Sequence, residues 1–213
     1  MSEADWELVL TRHGVLALMH RGHGEVMHPG PGPLAEARAL YRDGVGLPGR
    51  LERASGQPKR ALSECTGGDV ARRGQRLASR TGRPVRLLDV GLGAGTNAAV
   101  AITTALDLDA PLEVVSIETD PTGLAKVLQS GKGGAFGLDD RLEPVARELL
   151  ACGSATVGSV SWRLVRGDVL TVDPGGPFDL IYWDPFSNKV EPRLWSVEAF
   201  RKAGSCLAPG GRL

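Results

Sequence analysis

The feature that most constrains this chain is a glycine-rich loop directly after an apolar segment. Residues 85–90 have the composition of a buried strand, and Gly91, Gly93 and Gly95 follow at alternate positions. Glycines at this spacing let the backbone turn sharply and approach a ligand closely, and the N–H groups at the start of a following helix are free to bind it. The pattern therefore predicts a strand, a ligand-binding loop and a helix that begins near Thr96.

Strands and helices alternate along the rest of the chain. After the glycine loop we predict strands at 112–117, 161–165 and 178–183, and helices at 96–106, 121–130, 140–151 and 191–206. This alternation predicts an α/β fold of the Rossmann-like class, in which helices flank a mostly parallel sheet and the crossovers are right-handed. The carboxyl ends of the strands then lie at one edge of the sheet, where open α/β sheets bind ligands.

Composition divides the chain into three regions. They are an N-terminal element at 1–49 with short strands or a β-hairpin (6–28) and a helix (33–42), a basic connection at 50–84 with a helix (70–80), and a ligand-binding Rossmann-like domain at 85–213. Residues 43–67 are rich in Gly, Pro and Ser and are predicted to be irregular. We interpret Pro209-Gly210-Gly211 as a turn before a further strand, so we expect a C-terminally truncated domain with 178–183 as an exposed sheet edge.

Charge and composition exclude few partners. The formal net charge is zero, but residues 50–86 contain ten Lys or Arg and three Asp or Glu, which suits either contact with phosphate or simple solvation. No apolar run approaches the roughly 20 residues of a membrane span, and the N-terminus lacks a signal-peptide core. The separated cysteines Cys65, Cys152 and Cys206 argue against a disulfide scaffold or a zinc site. We therefore expect a cytoplasmic protein.

Acidic residues accompany three of the predicted strands. Asp89 lies near the end of the first strand, Glu118 closes the second, and Asp168 follows the third. A carboxylate at the second position can accept hydrogen bonds from ribose hydroxyls, and one at the third can accept a hydrogen bond from an adenine amino group. Each acid alone could equally be a surface or helix-capping carboxylate, but together with the glycine loop their order is typical of methyltransferases that bind S-adenosylmethionine. The predicted cofactor residues are Asp89, Gly91, Gly93, Gly95, Thr96, Asn97, Glu118, Thr119, Asp168 and Val169.

The fourth predicted strand ends in Trp183-Asp184-Pro185-Phe186. In this fold class that strand end faces the transferred group, so Asp184 is the predicted catalytic residue, which could orient a nucleophile or accept its proton. Pro185 would stiffen the loop, and Trp183 and Phe186 could form an apolar wall or stack on a base. The alternatives are that Asp184 caps the following loop and that the two aromatic side chains belong to the core.

The segment 178–196 resembles the methyltransferase domain of the bacterial MnmC-like enzymes, which modify the 5-methylaminomethyl group of the tRNA wobble uridine. That family has Asp, a small residue, Phe and Ser or Ala, then Pro-Lys and Asn-Pro-x-Leu/Met-Trp-Thr. This chain has Asp-Pro-Phe-Ser-Asn-Lys-Val-Glu-Pro-Arg-Leu-Trp-Ser at 184–196. It departs from the family pattern at Pro185, Asn188 and Glu191, all within the predicted substrate loop.

The resemblance implies S-adenosylmethionine as cofactor and tRNA as substrate. The N-terminal segments 8–11 and 24–36 are similar to the family's single-domain members, whose entry hairpin packs over the cofactor pocket, so His28 is an implied cofactor contact. Asp184 would bind the aminomethyl nitrogen of the wobble uridine and help to take its proton as the methyl group is transferred. The implied substrate-binding residues are Trp183, Pro185, Phe186 and Lys189. This sequence has no counterpart of the flavin oxidase domain of the family's bifunctional members.

Other functions remain open. A polyamine aminopropyltransferase shares the glycine loop, the ribose acid and the strand-end Asp, but it needs a further acid soon after Asp184, which residues 187–189 do not supply. A non-catalytic remnant could bind the cofactor without turnover. A dehydrogenase is disfavoured because the loop lacks the later glycine of the dinucleotide fingerprint. His20 and His23 have a metal-ligand spacing, but no acidic or cysteine pattern completes a site, so no metal is predicted.

Overall fold

The computed structural model describes residues 5–56 and 82–213. Its strands are β1 (Trp6–Leu10), β2 (Leu16–His20), β3 (Glu25–Val26), β4 (Val85–Val90), β5 (Leu112–Glu118), β6 (Ser154–Val157), β7 (Val160–Arg166), β8 (Phe178–Trp183) and β9 (Leu207–Arg212). Its α-helices are α1 (Pro33–Glu36), α2 (Leu47–Ser55), α3 (Thr96–Asp107), α4 (Thr122–Gln129), α5 (Glu143–Cys152) and α6 (Val197–Ser205). A π-helix (Ala37–Gly44) continues α1, and 3-10 helices lie at Gly133–Phe136 and Pro192–Trp195. Within the described ranges, no helix combines the length and apolar character needed to cross a membrane.

Six strands form one mostly parallel sheet in the order β6-β7-β5-β4-β8-β9. The central strand β4 pairs in parallel with β5 on one side and with β8 on the other. Among the described strands of this sheet, β6 alone runs antiparallel to its neighbour. Side chains of β4 and β8 are almost all buried, as expected for parallel strands that are covered on both faces. The predicted α/β fold of the Rossmann-like class is confirmed.

Alternate side chains of the central strands enter two separate apolar clusters. Leu87 and Leu180 belong to the larger cluster, which also holds apolar side chains of α2, α3, α4 and α5. Leu88 and Ile181 belong to a smaller cluster on the opposite face, which α6 covers. Because successive side chains of a strand point to opposite faces, the apolar sequences of β4 and β8 supply the core on both sides of the sheet.

A second, antiparallel sheet of β1, β2 and β3 lies beside the glycine loop, so the strands predicted within 6–28 are present. Trp6 and Leu18 are buried in the larger cluster. Gly123 of α4 packs closely against this sheet and the glycine loop, since a Cβ there would lie 3.1 Å from Leu18 and 3.1 Å from the carbonyl oxygen of Gly93. The small sheet is therefore held against both α4 and the glycine loop.

The connection after β3 differs from the prediction. The helix predicted at 33–42 is the short α1 continued by the π-helix, and the region 43–67, predicted to be irregular, contains α2. Its glycines suggested a loop, but Gly46 adopts a left-handed conformation just before α2, and Leu47 and Leu51 bury one face of this helix. The helix predicted at 70–80 lies outside the described residues.

The last described segment corrects two further expectations. Residues 207–212 form β9, so the interpretation of Pro209-Gly210-Gly211 as a turn was wrong. The expectation that β8 is an exposed edge was also wrong, because β9 pairs with it in parallel. The helix predicted at 191–206 is divided at Ser196, whose extended backbone and side chain, which accepts a hydrogen bond from the Ala199 N–H, set the start of α6.

Asp179 connects the start of β8 to the segment before β4. Its carboxylate accepts two hydrogen bonds from the Arg83 guanidinium, at 2.8 and 2.6 Å, and one from the Arg86 N–H at 2.9 Å. Burial alone would raise the pKa of Asp179, but these hydrogen bonds and the neighbouring positive charges hold that pKa below its ordinary value. A group with a lowered pKa stabilises the fold above its ordinary pKa, and this contribution is lost as the pH falls through the folded-state pKa.

We expect Asp179→Ala to lower the free energy of unfolding by about 1–3 kcal/mol at neutral pH, because it leaves the Arg86 N–H without its partner. Chemical denaturation at neutral and at strongly acidic pH measures the effect. The difference from wild type should shrink in acid, where the wild-type carboxylate is protonated. Asp140→Asn, at an exposed carboxylate, is the control. A difference of the same size at both pH values would contradict the prediction.

Candidate functional site

The carboxyl edge of the main sheet opens into a cleft of about 840 Å³. Its walls come mainly from the glycine loop and the start of α3 (91–97), the segment from β3 to α1 (23–36), and the loop after β8 (184–190). A volume of this size is typical of small-molecule sites. The cleft lies where open α/β sheets bind their ligands.

Gly91, Gly93 and Gly95 all adopt left-handed backbone conformations, with φ values of 89, 51 and 80°. A Cβ at Gly91 would clash with the carbonyl oxygen of Asp184, and one at Gly93 would lie 3.1 Å from Sδ of Met27. Glycine is therefore required by the backbone angle and by the close approach of neighbouring segments. The loop brings the end of β4 directly against the end of β8.

Two polar side chains at the start of α3 leave buried atoms without a partner. Thr96 and Asn97 are 3% and 6% exposed, and both line the cleft. Thr96 Oγ1 and Asn97 Oδ1 accept no hydrogen bond from any described residue. Because buried polar atoms are nearly always hydrogen-bonded in native proteins, these two atoms mark a place where a polar ligand would complete the site.

Asp89 lies beneath the glycine loop and is almost fully buried. Ser116 Oγ donates to Asp89 Oδ2 at 2.7 Å, and Trp162 Nε1 donates to Ser116 Oγ at 2.9 Å. Burial raises the pKa of Asp89 to about 7, against the opposing effect of the Ser116 hydrogen bond. Near neutral pH this carboxyl group is therefore partly protonated.

Glu118, the predicted ribose-binding acid, turns toward the glycine loop. Its Oε2 accepts a hydrogen bond from the Gly93 N–H at 3.3 Å, and its Oε1 accepts from the Asp120 N–H at 3.0 Å and from Thr119 Oγ1 at 3.2 Å. Burial raises the pKa of Glu118, although these hydrogen bonds act in the opposite direction. The acid thus lies beside Gly93, with its carboxylate held by backbone donors.

Asp168 follows β7 at the same edge of the sheet, where the Gly167 N–H donates to the carbonyl oxygen of Glu118 at 3.0 Å. The Asp168 side chain accepts a hydrogen bond from the Leu170 N–H at 2.9 Å and pairs with Arg193 at 3.2 Å. The Val169 side chain is buried in the smaller apolar cluster. Six predicted cofactor residues do not line the cleft: Asp89, Gly95, Glu118, Thr119, Asp168 and Val169. Their contact with an adenosyl group stays a prediction.

Asp184 lines the cleft opposite the start of α3. Asn97 Nδ2 donates to Asp184 Oδ2 at 2.7 Å, and His28 Nε2 lies 3.4 Å from the same oxygen. Burial raises the pKa of Asp184, while His28 and the hydrogen bonds from Asn97 and Tyr41 partly counteract it. The Asp184 N–H donates to the Val90 carbonyl oxygen at 2.9 Å, so the pairing of β4 with β8 itself positions this residue beside the glycine loop.

His28 connects Asp184 to a second carboxylate. Its Nδ1 lies 3.2 Å from Glu36 Oε1, so the imidazole ring spans the distance between the two acids. The φ of His28 is 53°, an uncommon value for a residue other than glycine. Sequence reasoning placed His28 and Asp184 at the site but missed Glu36, which lines the cleft, and Tyr41, which lies close to Asp184 without lining it. Both positions depend on the packing of α1 and the π-helix.

The residues predicted to bind substrate have different surroundings. Pro185 and Lys189 line the cleft, and Lys189 is exposed. Trp183 does not line it, because its side chain lies on the opposite face of the sheet, in the smaller apolar cluster. There its Nε1 donates to the Leu194 carbonyl oxygen at 3.0 Å.

Phe186 lines the cleft and also belongs to an aromatic group at its wall. Its ring centroid lies 6.0 Å from Trp6, 5.6 Å from His20 and 5.0 Å from His23. The two histidines stack on each other at 4.3 Å, so they pack with aromatic rings here. These contacts attach the loop after β8 to the N-terminal sheet.

Two residues that were not predicted to belong to the site also fix this loop. Glu25 accepts hydrogen bonds from the N–H and the Oγ of Ser187, at 2.9 and 2.7 Å. Trp195 lines the cleft, and its Nε1 donates to the Phe186 carbonyl oxygen at 2.9 Å. Trp195 stands in the segment that carries the family resemblance, which could have marked it, whereas no local signal distinguishes Glu25.

A six-stranded, mostly parallel sheet with a glycine loop after its central strand is the architecture of Rossmann-like methyltransferases, and this chain has that fold. One solved structure with a similar fold is the crystal structure of MNMC2 from Aquifex aeolicus, with a TM-score of 0.62 and 20% sequence identity. The similarity covers 97% of this chain and 57% of that chain, so this sequence spans little more than half of that protein's length. No family model matches the chain, and no curated protein matches it in sequence.

We expect Asp89→Asn to gain stability over wild type as the pH rises. Between pH 3.8 and about pH 7 the folded wild type keeps the proton on Asp89 while the unfolded chain loses it. The free energy of unfolding of the wild type therefore falls across this pH interval. Asparagine does not titrate. Urea denaturation over this range should show a difference in the free energy of unfolding that grows up to about pH 7 and then stays constant. A difference in the free energy of unfolding that does not change with pH, as expected for Asp140→Asn, would contradict the raised pKa of Asp89.

Proposed function

We propose that this chain is an S-adenosylmethionine-dependent methyltransferase that methylates an amine. The observation that carries the proposal is the contact between the glycine loop and Asp184. A Cβ at Gly91 would clash with the Asp184 carbonyl oxygen, and Asn97 Nδ2 donates to Asp184 Oδ2 at 2.7 Å. A ligand bound at the loop therefore lies next to a carboxylate that is suited to hold an amine.

The residues around the loop fit the polar groups of S-adenosylmethionine. Thr96 Oγ1 and Asn97 Oδ1 are unpartnered acceptors for an amino group. Glu118, beside Gly93, has the carboxylate that ribose hydroxyls require, and Asp168 lies at the next strand end for the adenine amino group. When bound, S-adenosylmethionine would supply an electrophilic methyl group on a positively charged sulfur.

Methyl transfer to an amine requires a nitrogen with a free electron pair, in line with the C–S bond. Asp184 can hold the ammonium form and accept its proton, and the raised pKa of this carboxyl makes it a stronger base than an ordinary aspartate. The nitrogen then forms the new N–C bond, and the electron pair of the broken C–S bond stays on sulfur. Positioning of the two reactants supplies most of the acceleration in a displacement of this kind.

We propose that the acceptor is the aminomethyl group of the tRNA wobble uridine. The resemblance of 184–196 to the MnmC-like enzymes supports this choice, and so does the fold shared with MNMC2 from Aquifex aeolicus. A flipped base would enter beside Pro185 and Trp195, which line the cleft, and the exposed Lys189 can contact phosphate. The basic residues within 50–86 other than Arg83 and Arg86 would contact the tRNA backbone, since the guanidinium groups of those two pair with Asp179 and Glu113. An enzyme with this substrate would work in the cytoplasm.

The structure gives less support to a polyamine aminopropyltransferase. That reaction needs acidic groups along the cleft beyond Asp184 to hold a polycation. The further acids that line the cleft, Glu25 and Glu36, are engaged with Ser187 and His28. Lys189 also lines the cleft, and its positive charge repels such a substrate.

We expect the wild-type chain to bind S-adenosylmethionine and its demethylated product. Glu118→Ala should weaken binding of the product about tenfold or more, because hydrogen bonds to ribose worth about 1 kcal/mol each are lost. Isothermal titration calorimetry measures both affinities, with Asp140→Asn as the control and thermal unfolding to show that the variant is folded. Absence of binding by the wild type would reject the proposed cofactor.

We expect the wild type to methylate tRNA that carries the unmethylated aminomethyl group. Asp184→Ala should lower kcat/KM about 100-fold or more, since it removes the proton acceptor, while cofactor binding is retained. Transfer of labelled methyl groups and mass spectrometry of the nucleosides measure the reaction, with Asp140→Asn as the control. Cofactor binding with no transfer would favour the non-catalytic remnant, and transfer only to small amines would move the substrate away from RNA.

A further inference from the structure

At the side of the proposed acceptor site, one histidine ring lies between two carboxylates. His28 Nδ1 is 3.2 Å from Glu36 Oε1, and His28 Nε2 is 3.4 Å from Asp184 Oδ2. The side chains are 14% exposed for His28, 28% for Glu36 and 24% for Asp184. The three groups are therefore largely withdrawn from water, where solvent and salt screen their charges less than at the surface.

The backbone shows that this geometry is imposed by the surroundings of His28. A φ of 53° costs free energy in a residue other than glycine and persists only where neighbouring structure enforces it. Glu25, in β3, accepts two hydrogen bonds from Ser187 and so ties the chain just before His28 to the loop that carries Asp184. Glu36 belongs to α1. Three elements thus converge on one imidazole ring.

The charge of the group formed by His28, Glu36 and Asp184 depends on how many ring nitrogens of His28 carry a proton. A carboxylate only accepts hydrogen bonds, so the ring can donate to both acids only when both ring nitrogens carry a proton. In that state the imidazolium compensates one of the two carboxylates. The group of His28, Glu36 and Asp184 then has one net negative charge.

We propose that His28, oriented by Glu36, is a positioning residue that sets the charge and the direction of the Asp184 carboxylate, so that the cleft takes an acceptor with a single ammonium group. This inference rests on the proposed function and names its substrate class. With both ring nitrogens of His28 protonated, the three groups carry one net negative charge, which one ammonium balances, whereas a polyamine would leave positive charge uncompensated in a partly buried site.

The proposed methyl transfer conserves protons and electron pairs. Asp184 takes one proton from the primary ammonium, which leaves a free amine. The amine nitrogen forms the N–C bond as the C–S bond breaks, sulfur keeps the electron pair, and the positive charge of the sulfonium passes to the secondary ammonium product. Asp184 then releases its proton to solvent.

The groups that act on Asp184 come from five segments of the described chain: His28 after β3, Glu36 of α1, Tyr41 of the π-helix, Asp89 of β4 and Asn97 of α3. His28 supplies the positive charge of this set and lowers the pKa of Asp184, while Glu36 raises it. Removing the one or the other should therefore move the pKa of Asp184 in opposite directions. A purely structural role for the pair would not produce this pattern.

The test is the titration of the Asp184 carboxyl carbon by NMR in the free protein, with the signal assigned by its loss in Asp184→Asn. His28→Asn suits the left-handed backbone, since asparagine tolerates it, and should raise the midpoint by about one pH unit. Glu36→Gln should lower it, by less, because Glu36 acts on Asp184 more weakly than His28 does. His13→Gln, at an exposed histidine in the β1–β2 turn, is the matched control and should leave it unchanged.

The acidic limb of the kcat/KM profile for tRNA methylation should follow the same shifts, because Asp184 must be ionised to accept a proton. Midpoints that stay at the wild-type value in both folded variants would overturn the inference, whatever the activity. If His28→Asn does not fold, the titration midpoint of Asp184 in Glu36→Gln alone tests the inference. If the midpoints move as expected but the wild type methylates no tRNA, the proposed acceptor is wrong and the role of His28 toward Asp184 stands.

Discussion

The parallel pairing of β4 with β8 places Asp184 beside the glycine loop, and the rest of the site is built around that contact. The pairing continues one residue beyond β8, where the Asp184 N–H donates to the carbonyl oxygen of Val90, the last residue of β4, at 2.9 Å. There the chain after β8 crosses Gly91 at a distance that only glycine permits. Since side chains alternate along a strand, this register also sends Trp183 to the opposite face and Asp184 into the cleft. A slip of one residue would exchange them.

Three carboxyl groups with raised pKa values lie along this edge of the sheet: Asp89, Glu118 and Asp184. In each case burial is the main cause, because a charged group loses solvation when it is removed from water. A cation bound nearby would relieve that cost. Under the proposed function both ligands are cations, a sulfonium and an ammonium, so the acids that are unfavourable in the free protein become favourable in the complex.

The N-terminal sheet forms a wall of the cleft as well as covering the core. Glu25 holds Ser187, and Trp6 packs with Phe186, so the sheet and the loop after β8 form one connected surface. His28 and Glu36 enter the site from this same part of the chain. The short strands were predictable from their turns and apolar pattern, but their position over the glycine loop was not, because it depends on burial of Trp6 and Leu18 against α4.

By itself, the sequence determined the alternation of strands and helices, the glycine loop and the order of the acids at the strand ends. These features are local or periodic. The spacing of Gly91, Gly93 and Gly95, whose backbone angles are left-handed, and the apolar run of β4 are compatible with few structures other than a strand followed by a tight loop. Only the tertiary structure decided that Leu207–Arg212 is a strand, that a helix follows Gly46, that Trp183 faces away from the cleft, and that Glu36 and Tyr41 reach Asp184. Each of these features depends on contacts between residues far apart in the chain. Those contacts decide which side chains are buried and which charges lie close together, and a local sequence pattern does not specify them.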